Sequence, residues 1–148
     1  MRFLFLALCL LIGLESVASA CSCRRSPRDE ASRQALAARI AKESTALVEV
    51  ELVSPYDPRT GRGERLRVRR VLAGRAGPTV EVERLRRPQG AACDIVFHAT
   101  GRRVVALQPA LHPEKGRPLH RVGGSCTAIL LADPATRQAV IAAIRRRR

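Results

Sequence analysis

Aromatic residues are scarce in this chain, which contains one Tyr, three Phe and no Trp among 148 residues. Any hydrophobic core must therefore be built from aliphatic side chains. Acidic residues are also few, with 13 Asp and Glu against 27 Lys and Arg, so the net charge is +14. A content of 46% hydrophobic and 27% charged residues excludes a collagen-like, wholly disordered or polytopic membrane chain. The length predicts one domain.

The first twenty residues are typical of a secretory signal peptide. A basic start at Arg2 precedes an almost wholly apolar run over residues 3–14, and residues 17–20 end in an Ala-x-Ala cleavage pattern. The apolar run is too short to span the roughly 30 Å hydrocarbon core of a bilayer as a helix. We therefore predict that residues 1–20 are removed on export.

Cleavage after Ala20 would leave a single mature domain, residues 21–148, beginning with Cys21-Ser22-Cys23 and secreted or periplasmic. A second interpretation uses the same residues. Residues 18–21 loosely resemble a bacterial lipobox, although Ala18 stands where a bulky aliphatic residue is usual. In that case Cys21 would be lipidated and would anchor the protein to a membrane.

Four cysteines remain in the predicted mature chain, at positions 21, 23, 93 and 126. In an exported domain this number predicts two disulfides. A bridge between Cys21 and Cys23 is the least favoured because so tight a ring is strained, and the other two pairings stay open. Cys-x-Cys with two distant single cysteines fits the spacing of structural zinc sites poorly. We therefore expect neither a metal site nor a cofactor.

The mature chain predicts a helix, five or six short strands and a closing helix. Ser26 is the expected N-cap of a helix that runs to about Glu43, and Asp133-Pro134 is expected to begin the last helix. Alternation of apolar and charged residues predicts strands over residues 46–53, 66–71, 80–82, 92–98, 102–107 and 119–122. Short strands at this spacing indicate a mainly β fold with flanking helices, either a small barrel or a sandwich.

The predicted helices have apolar faces, and two C-terminal segments carry further expectations. The faces consist of Leu36, Ala37, Ile40 and Ala41 in the first helix and of Val140, Ile141 and Ile144 in the last.

Residues 123–126 are interpreted as a tight approach to a strand that begins at a disulfide. Residues 145–148, all Arg, are interpreted as a frayed, solvated tail.

The positive charge raises the question of nucleic-acid binding. Small barrels that bind single strands rely on aromatic platforms, and the mature chain has only Tyr56 and Phe97. Of the 27 basic residues 25 are Arg, in a chain also rich in Ala, Gly and Pro, a composition that GC-rich coding bias produces without selection for a partner. No specific nucleic-acid partner is expected. Weak attraction to anionic surfaces or polyanionic polysaccharide stays open.

The sequence contains no recognisable catalytic motif. His98, His112 and His120 form neither an H-E-x-x-H motif nor an i, i+4 pair, and Walker-type and Gly-x-Ser-x-Gly motifs are absent. Cysteines engaged in bridges cannot act as thiolate nucleophiles. We therefore do not expect an enzyme.

The mature start, the order of elements and the later cysteines together resemble the netrin-like family, which includes the tissue inhibitors of metalloproteinases and many small bacterial exported proteins. The similarity covers residues 21–145 and rests on residues 21–23 (CSC), 68–74 (VRRVLAG), 92–94 (ACD), 101–107 (GRRVVAL) and 124–126 (GSC). It implies a five-stranded OB-fold barrel with N-terminal and C-terminal helices. It also implies the disulfides Cys21–Cys93 and Cys23–Cys126.

The resemblance further implies a role for the N-terminal residues. In the tissue inhibitors the amine and carbonyl of the first Cys chelate the catalytic zinc of the bound protease, and the next side chain enters its specificity pocket. Cys21 would be the chelator here and Ser22 the pocket residue. An α-amino group has a pKa near 7.7–8.0, so an appreciable neutral fraction is available to bind metal at neutral pH.

Two functional hypotheses follow. The first is an exported, disulfide-stabilised binding module that inhibits a zinc metalloprotease through the free N-terminal Cys21. The alternative is a non-inhibitory structural or surface-binding envelope module, anchored as a lipoprotein at Cys21, whose partner is another envelope or extracellular protein. Arg24 and Arg25 follow the motif where animal inhibitors carry a small residue and then Pro, a departure from the inhibitory pattern.

Overall fold

The computed structural model describes residues 23, 26–83 and 101–147. The predicted signal peptide and the predicted strand at residues 92–98 lie outside these residues. The described part of the chain contains α1 (Glu30–Glu43), β1 (Ala46–Ser54), β2 (Arg65–Gly74), β3 (Thr79–Val82), β4 (Arg103–Pro109), β5 (Leu119–Val122), α2 (Ser125–Ala132) and α3 (Pro134–Arg146).

The five strands close into a barrel in the order β1-β2-β3-β5-β4, with β4 pairing back onto β1. Neighbouring strands are antiparallel except β3 and β5, which run parallel, with Glu81 opposite Leu119. The predicted mainly β fold with flanking helices is confirmed, and the architecture is the barrel rather than the sandwich.

Strand β1 illustrates why the barrel forms. Val48 and Val50 point inward and are essentially inaccessible, whereas Glu49 and Glu51 remain partly exposed on the outer face. The cluster that fills the barrel is wholly aliphatic, as the scarcity of aromatic residues requires. Its members are Ala46, Val48, Val50, Leu66, Val80, Val82, Val105 and Leu107.

A second aliphatic cluster lies between the outside of the barrel and the helices. Leu47, Ala73 and Ala106 contribute it from strands β1, β2 and β4. The predicted helical faces are confirmed, since Ala37, Ile40, Ala41, Val140, Ile141 and Ile144 are all buried in this cluster and Leu36 packs against it. At this end of β1 both faces are buried, since Leu47 packs in the cluster under the helices and Val48 packs inside the barrel.

The predicted N-cap of the first helix is wrong. The cap is Asp29, whose carboxylate accepts a hydrogen bond from the Ser32 amide at 2.7 Å, and the helix begins at Glu30 rather than near Ser26. This capping bond is the main reason that the pKa of Asp29 lies below its ordinary value. An acid in the cap position also complements the positive end of the helix dipole.

The segment after Gly124 forms helix α2, so the predicted strand beginning at Cys126 is also wrong. An apolar run of this length is compatible with either a strand or a buried helix, and its periodicity does not distinguish them. The helix packs Leu130 and Leu131 inward and ends at Asp133, which caps α3 through the Thr136 amide at 2.9 Å. The predicted start of the last helix at Asp133-Pro134 is thereby confirmed.

The predicted fraying of the basic C-terminus is wrong, although residues 145–147 are exposed to solvent as expected. Helix α3 continues through Arg146, and Arg145 donates to the carbonyl oxygen of Leu72 on β2 at 3.3 Å. Arg147 donates to the carbonyl oxygen of Ala41 in α1. These contacts join the end of the chain to the barrel and to the first helix.

Candidate functional site

A disulfide joins Cys23 to Cys126, with a Cα–Cα distance of 5.0 Å and a sequence separation of 103 residues. This separation is within the usual range for disulfides. Cys126 lies in the first turn of α2, so the bridge fastens the start of the predicted mature chain to that helix. The second of the two bridges implied by the family resemblance is therefore present.

The turn that presents Cys126 contains two glycines. The Gly123 amide donates to the carbonyl of Ala106 on β4 at 3.0 Å, and a Cβ on Gly123 would come within 3.0–3.3 Å of the Thr127 side chain. The Gly124 carbonyl accepts the Thr127 amide at 2.8 Å and so begins helix α2. Strand β5 thus passes directly into α2 while packed against β4, which gives Cys126 a fixed position.

The other predicted site residues, Cys21 and Ser22, and the predicted bridge partner Cys93 lie outside the described residues. Their roles and the Cys21–Cys93 bridge stay predictions. What the structure provides is the attachment point beside them: Cys23 follows Ser22 directly and is bonded to α2.

A second candidate surface was missed by sequence reasoning. It is a cleft of about 300 Å³ on the outside of the barrel, between the β1–β2 loop (residues 55–64) and the β4–β5 loop (residues 110–118). We call it the arginine cleft. Its lining consists of Arg62, Arg65, Thr79, Glu81, Arg117 and Pro118, so three arginines face one carboxylate.

The carboxylate of the arginine cleft is already paired. The side chain of Glu81 is only 10% exposed, and Arg117 contacts both of its oxygens, with Nε at 3.3 Å from Oε2. Arg117 also pairs with Glu114. These bonds, that to Glu81 above all, raise the pKa of Arg117 above its ordinary value. Arg117 is therefore held between two carboxylates, those of Glu81 and Glu114.

The β4–β5 loop is held near both ends by hydrogen bonds to β3 and to the residue that follows it. The Glu83 carboxylate accepts the backbone amides of Leu111 and His112 at 2.6 and 2.7 Å. At the other end the Glu81 amide donates to the carbonyl of Pro118 at 3.0 Å. The loop therefore has a defined shape where it borders the arginine cleft.

The β1–β2 loop is organised by Asp57. Its carboxylate accepts the Arg59 amide at 2.9 Å and the Thr60 hydroxyl at 2.7 Å, and the Thr60 bond is the largest cause of its lowered pKa. Its amide donates to the carbonyl of Arg62 at 3.0 Å, which closes the loop. These bonds fix the backbone from which the Arg62 side chain enters the cleft.

Gly63 allows the β1–β2 loop to reach the barrel wall. A Cβ at this position would lie 1.6 Å from the carbonyl oxygen of Val82 at the end of β3. Beside it, the Val82 amide donates to the Glu64 carbonyl at 2.8 Å. The close backbone approach brings Arg62 next to the strand that carries Glu81.

The outer face of β2 continues the positive charge away from the cleft. Arg65, Arg67 and Arg69 alternate with the inward-facing Leu66 and Val68. Arg67 and Arg69 share the carboxylate of one acid on β1, at 3.5 and 2.6 Å. We call the three residues Arg65, Arg67 and Arg69 the β2 arginine row.

The acid that Arg67 and Arg69 share is Glu51. The hydrogen bond from Arg69 is the largest cause of the lowered pKa of Glu51. Within the part of the chain that the structure describes, no acidic side chain lies within ion-pair distance of Arg62 or Arg65. Within the β2 arginine row, Arg65 is therefore the residue without an ion pair among the described residues, although it lies opposite Glu81 in the β2–β3 register.

No family model matches the chain, and no curated protein or solved structure matches it either. Among the described residues, no group of three or more His, Cys, Asp or Glu side chains is arranged to hold a metal ion. No single helix of the described ranges is long and apolar enough to cross a membrane. Helices α2 and α3 taken together have sufficient length and apolar composition, but they are bent by 104° at their junction.

Proposed function

We propose that the mature chain is an exported binding module with an OB-type barrel, in which the N-terminal segment Cys21-Ser22-Cys23 docks on a zinc metalloprotease and inhibits it. The observation that carries the proposal is the Cys23–Cys126 bridge, which fastens this segment to α2. A closed barrel in which a parallel β3–β5 pair completes five strands supports the OB-type assignment.

The bridge supports the proposal in two ways. A disulfide is compatible with an oxidising, exported compartment, which is where signal-peptide removal would expose the amine of Cys21. Because the N-terminal segment is covalently attached at Cys23, it also loses less conformational freedom when it binds. The cost in binding free energy is therefore lower. In this mechanism the amine and carbonyl of Cys21 supply two ligands to the protease zinc, and Ser22 enters the specificity pocket.

The test compares two versions of the purified mature protein, one beginning at Cys21 and one with a single Ala before it. The extra residue turns the chelating amine into an amide, which does not coordinate zinc, so inhibition should weaken at least tenfold, or about 1.4 kcal/mol. Hydrolysis of a fluorogenic peptide by a panel of zinc metalloproteases provides the measurement. A version with the Ala added at the C-terminus is the matched control, and equal inhibition by all three would exclude chelation.

The exposed arginines favour the second candidate, a non-inhibitory module anchored at Cys21 that binds envelope polymers or proteins. The β2 arginine row provides the surface for such binding. The intact mass of the exported protein separates the candidates, since an acylated Cys21 has no free amine to chelate zinc. The same mass, measured with and without reduction, reports whether Cys21 is bridged.

A further inference from the structure

We propose that the arginine cleft binds an acidic polysaccharide, with Arg62 and Arg65 contacting its carboxylate or sulfate groups. This site is distinct from the proposed protease contact. The cleft precedes β5 at Arg117 and Pro118, whereas the Cys23–Cys126 bridge follows β5, so the two surfaces lie at opposite ends of that strand.

The charges of the cleft leave two cations available. Glu81 is occupied by Arg117, and Arg117 is shared with Glu114, so these three side chains carry a net charge of −1 and supply no cation to a ligand. Arg62 and Arg65 have no ion-pair partner among the described residues and line the same 300 Å³ space. An arginine side chain presents a planar fork of donors that matches a carboxylate or sulfate with two parallel hydrogen bonds. The Thr79 hydroxyl beside them is a further donor or acceptor for a sugar hydroxyl.

The surroundings of the cleft suit a linear chain rather than a single anion. Alternate residues on a strand are roughly 7 Å apart, so the β2 arginine row presents successive positive groups along one direction. Arg67 and Arg69 share one carboxylate, that of Glu51, which leaves a net positive charge along the row. A polymer seated in the cleft can therefore extend over β2 and contact further arginines.

The chemistry of the surface favours a polysaccharide over a single-stranded nucleic acid. Recognition of single strands on barrels of this type uses stacked aromatic side chains, and Tyr56 is the only aromatic residue in the described part of the chain. The disulfide is compatible with an exported compartment, outside the cytosol and nucleus where disulfides are rare. The carboxylate or sulfate groups of an acidic sugar can instead be held by bidentate hydrogen bonds from arginine.

The cleft is also preorganised. Asp57 fixes the β1–β2 loop, Glu83 fixes the β4–β5 loop, and Glu81 fixes Arg117. Binding therefore requires ordering of only the exposed ends of Arg62 and Arg65, which keeps the entropic cost low.

The experiment measures binding of the mature protein to three probes: a heparin oligosaccharide, polygalacturonate and a single-stranded oligothymidylate. Titration calorimetry is performed at low ionic strength and at about 0.15 M salt, where surface charges are screened beyond roughly 8 Å. The test variant is Arg62→Gln with Arg65→Gln. The matched control is Arg28→Gln with Arg39→Gln, which removes two exposed charges beside and within α1.

We expect the sulfated or the carboxylated polysaccharide to bind more tightly than the oligothymidylate. The cleft variant should lose about tenfold or more in affinity, since two charged hydrogen-bonding groups are removed, and the control should change far less. Equal weakening by both variants would show attraction to net charge alone and would overturn the proposal. So would the absence of binding to either polysaccharide, or tighter binding of the oligothymidylate.

An NMR titration of the unmodified protein gives a second readout that does not depend on any variant folding. The amides of Arg62, Arg65 and Thr79 should shift on addition of the polysaccharide, and shifts confined to α1 or α3 would contradict the assignment. The version with an added N-terminal Ala should bind the polysaccharide unchanged. Failure of the protease proposal and failure of this one are therefore distinguishable.

Discussion

The guanidinium of Arg147 donates a hydrogen bond to the carbonyl oxygen of Ala41, near the C-terminus of α1. A cation at this position satisfies a terminal carbonyl and complements the negative end of the helix dipole. The contact links the last described residue of the chain to its first helix, so the C-terminal arginines are part of the helical layer.

Replacing Arg147 with Ala should lower the free energy of unfolding by about 1 kcal/mol, the typical value of one hydrogen bond. The same replacement at Arg146, its exposed neighbour, removes an equal charge without removing this bond. Urea unfolding followed by circular dichroism measures both. An equal effect of the two changes would show that charge rather than the Ala41 contact is responsible.

Replacing Cys23 and Cys126 together with Ser should destabilise the domain by about 2 to 5 kcal/mol, because a bridge that closes a loop of this length strongly restricts the unfolded chain. The measurement is urea unfolding without reductant. Adding reductant should lower the stability of the unmodified protein towards that of the variant. If the double variant unfolded at the same urea concentration as the unmodified protein, the assigned role of the bridge would be wrong.

Replacing Gly63 with Ala should be strongly destabilising, since the new Cβ would overlap the Val82 carbonyl oxygen and one of the two backbones would have to move. Gly77→Ala is the matched control, because its Cβ would meet only the Thr79 carbonyl oxygen at an ordinary 3.7 Å. Thermal unfolding compares them. The Gly63 variant should also weaken polysaccharide binding, because it displaces Arg62; a normal melting temperature would contradict the described approach of the loop to β3.

Protonation of His120 should destabilise the folded protein. Burial of the imidazole is the main cause of its lowered pKa, opposed by a hydrogen bond with the Gln108 backbone, and its Nδ1 atom has no hydrogen-bond partner among the described residues. The unfolded chain therefore binds the proton more readily. The stabilising contribution is complete above the unfolded pKa of about 6.5 and is lost as the pH falls through and below that value.

The corresponding experiment measures the urea midpoint from about pH 8 to about pH 5, the range in which histidine titrates. The midpoint of the unmodified protein should fall with decreasing pH, and His120→Gln should reduce this dependence. His112→Gln, at an exposed position, is the control. A fall of the same size in the His120 variant would assign the pH dependence to other groups.

Local patterns were sufficient to predict most of the barrel and two of its helices. In β1 the inward Val48 and Val50 alternate with Glu49 and Glu51, and this alternation is visible without any tertiary information. Helix α3 was equally clear, because Asp133-Pro134 marks its start and its buried residues recur at helical spacing. Over these residues each element alternates between a buried and a polar face, so burial leaves its period in the sequence.

Helix α2 had no such signal. Its residues Cys126 to Ala132 are mostly apolar, and the helix follows the turn at Gly123-Gly124, which is hydrogen-bonded to β4. The arginine cleft could also not be predicted from local sequence patterns. Arg62 and Arg117 come together only because β5 pairs in parallel with β3, which brings Pro118 beside Glu81.

The span of the Cys23–Cys126 bridge determines what a single proteolytic cut does to the protein. Every backbone bond between these two residues, including those of the β1–β2 and β4–β5 loops, lies inside one covalent ring. A single cut there opens the ring without releasing a fragment, and the nicked molecule keeps its intact mass plus one water. The two pieces separate only once the sulfur–sulfur bond is reduced.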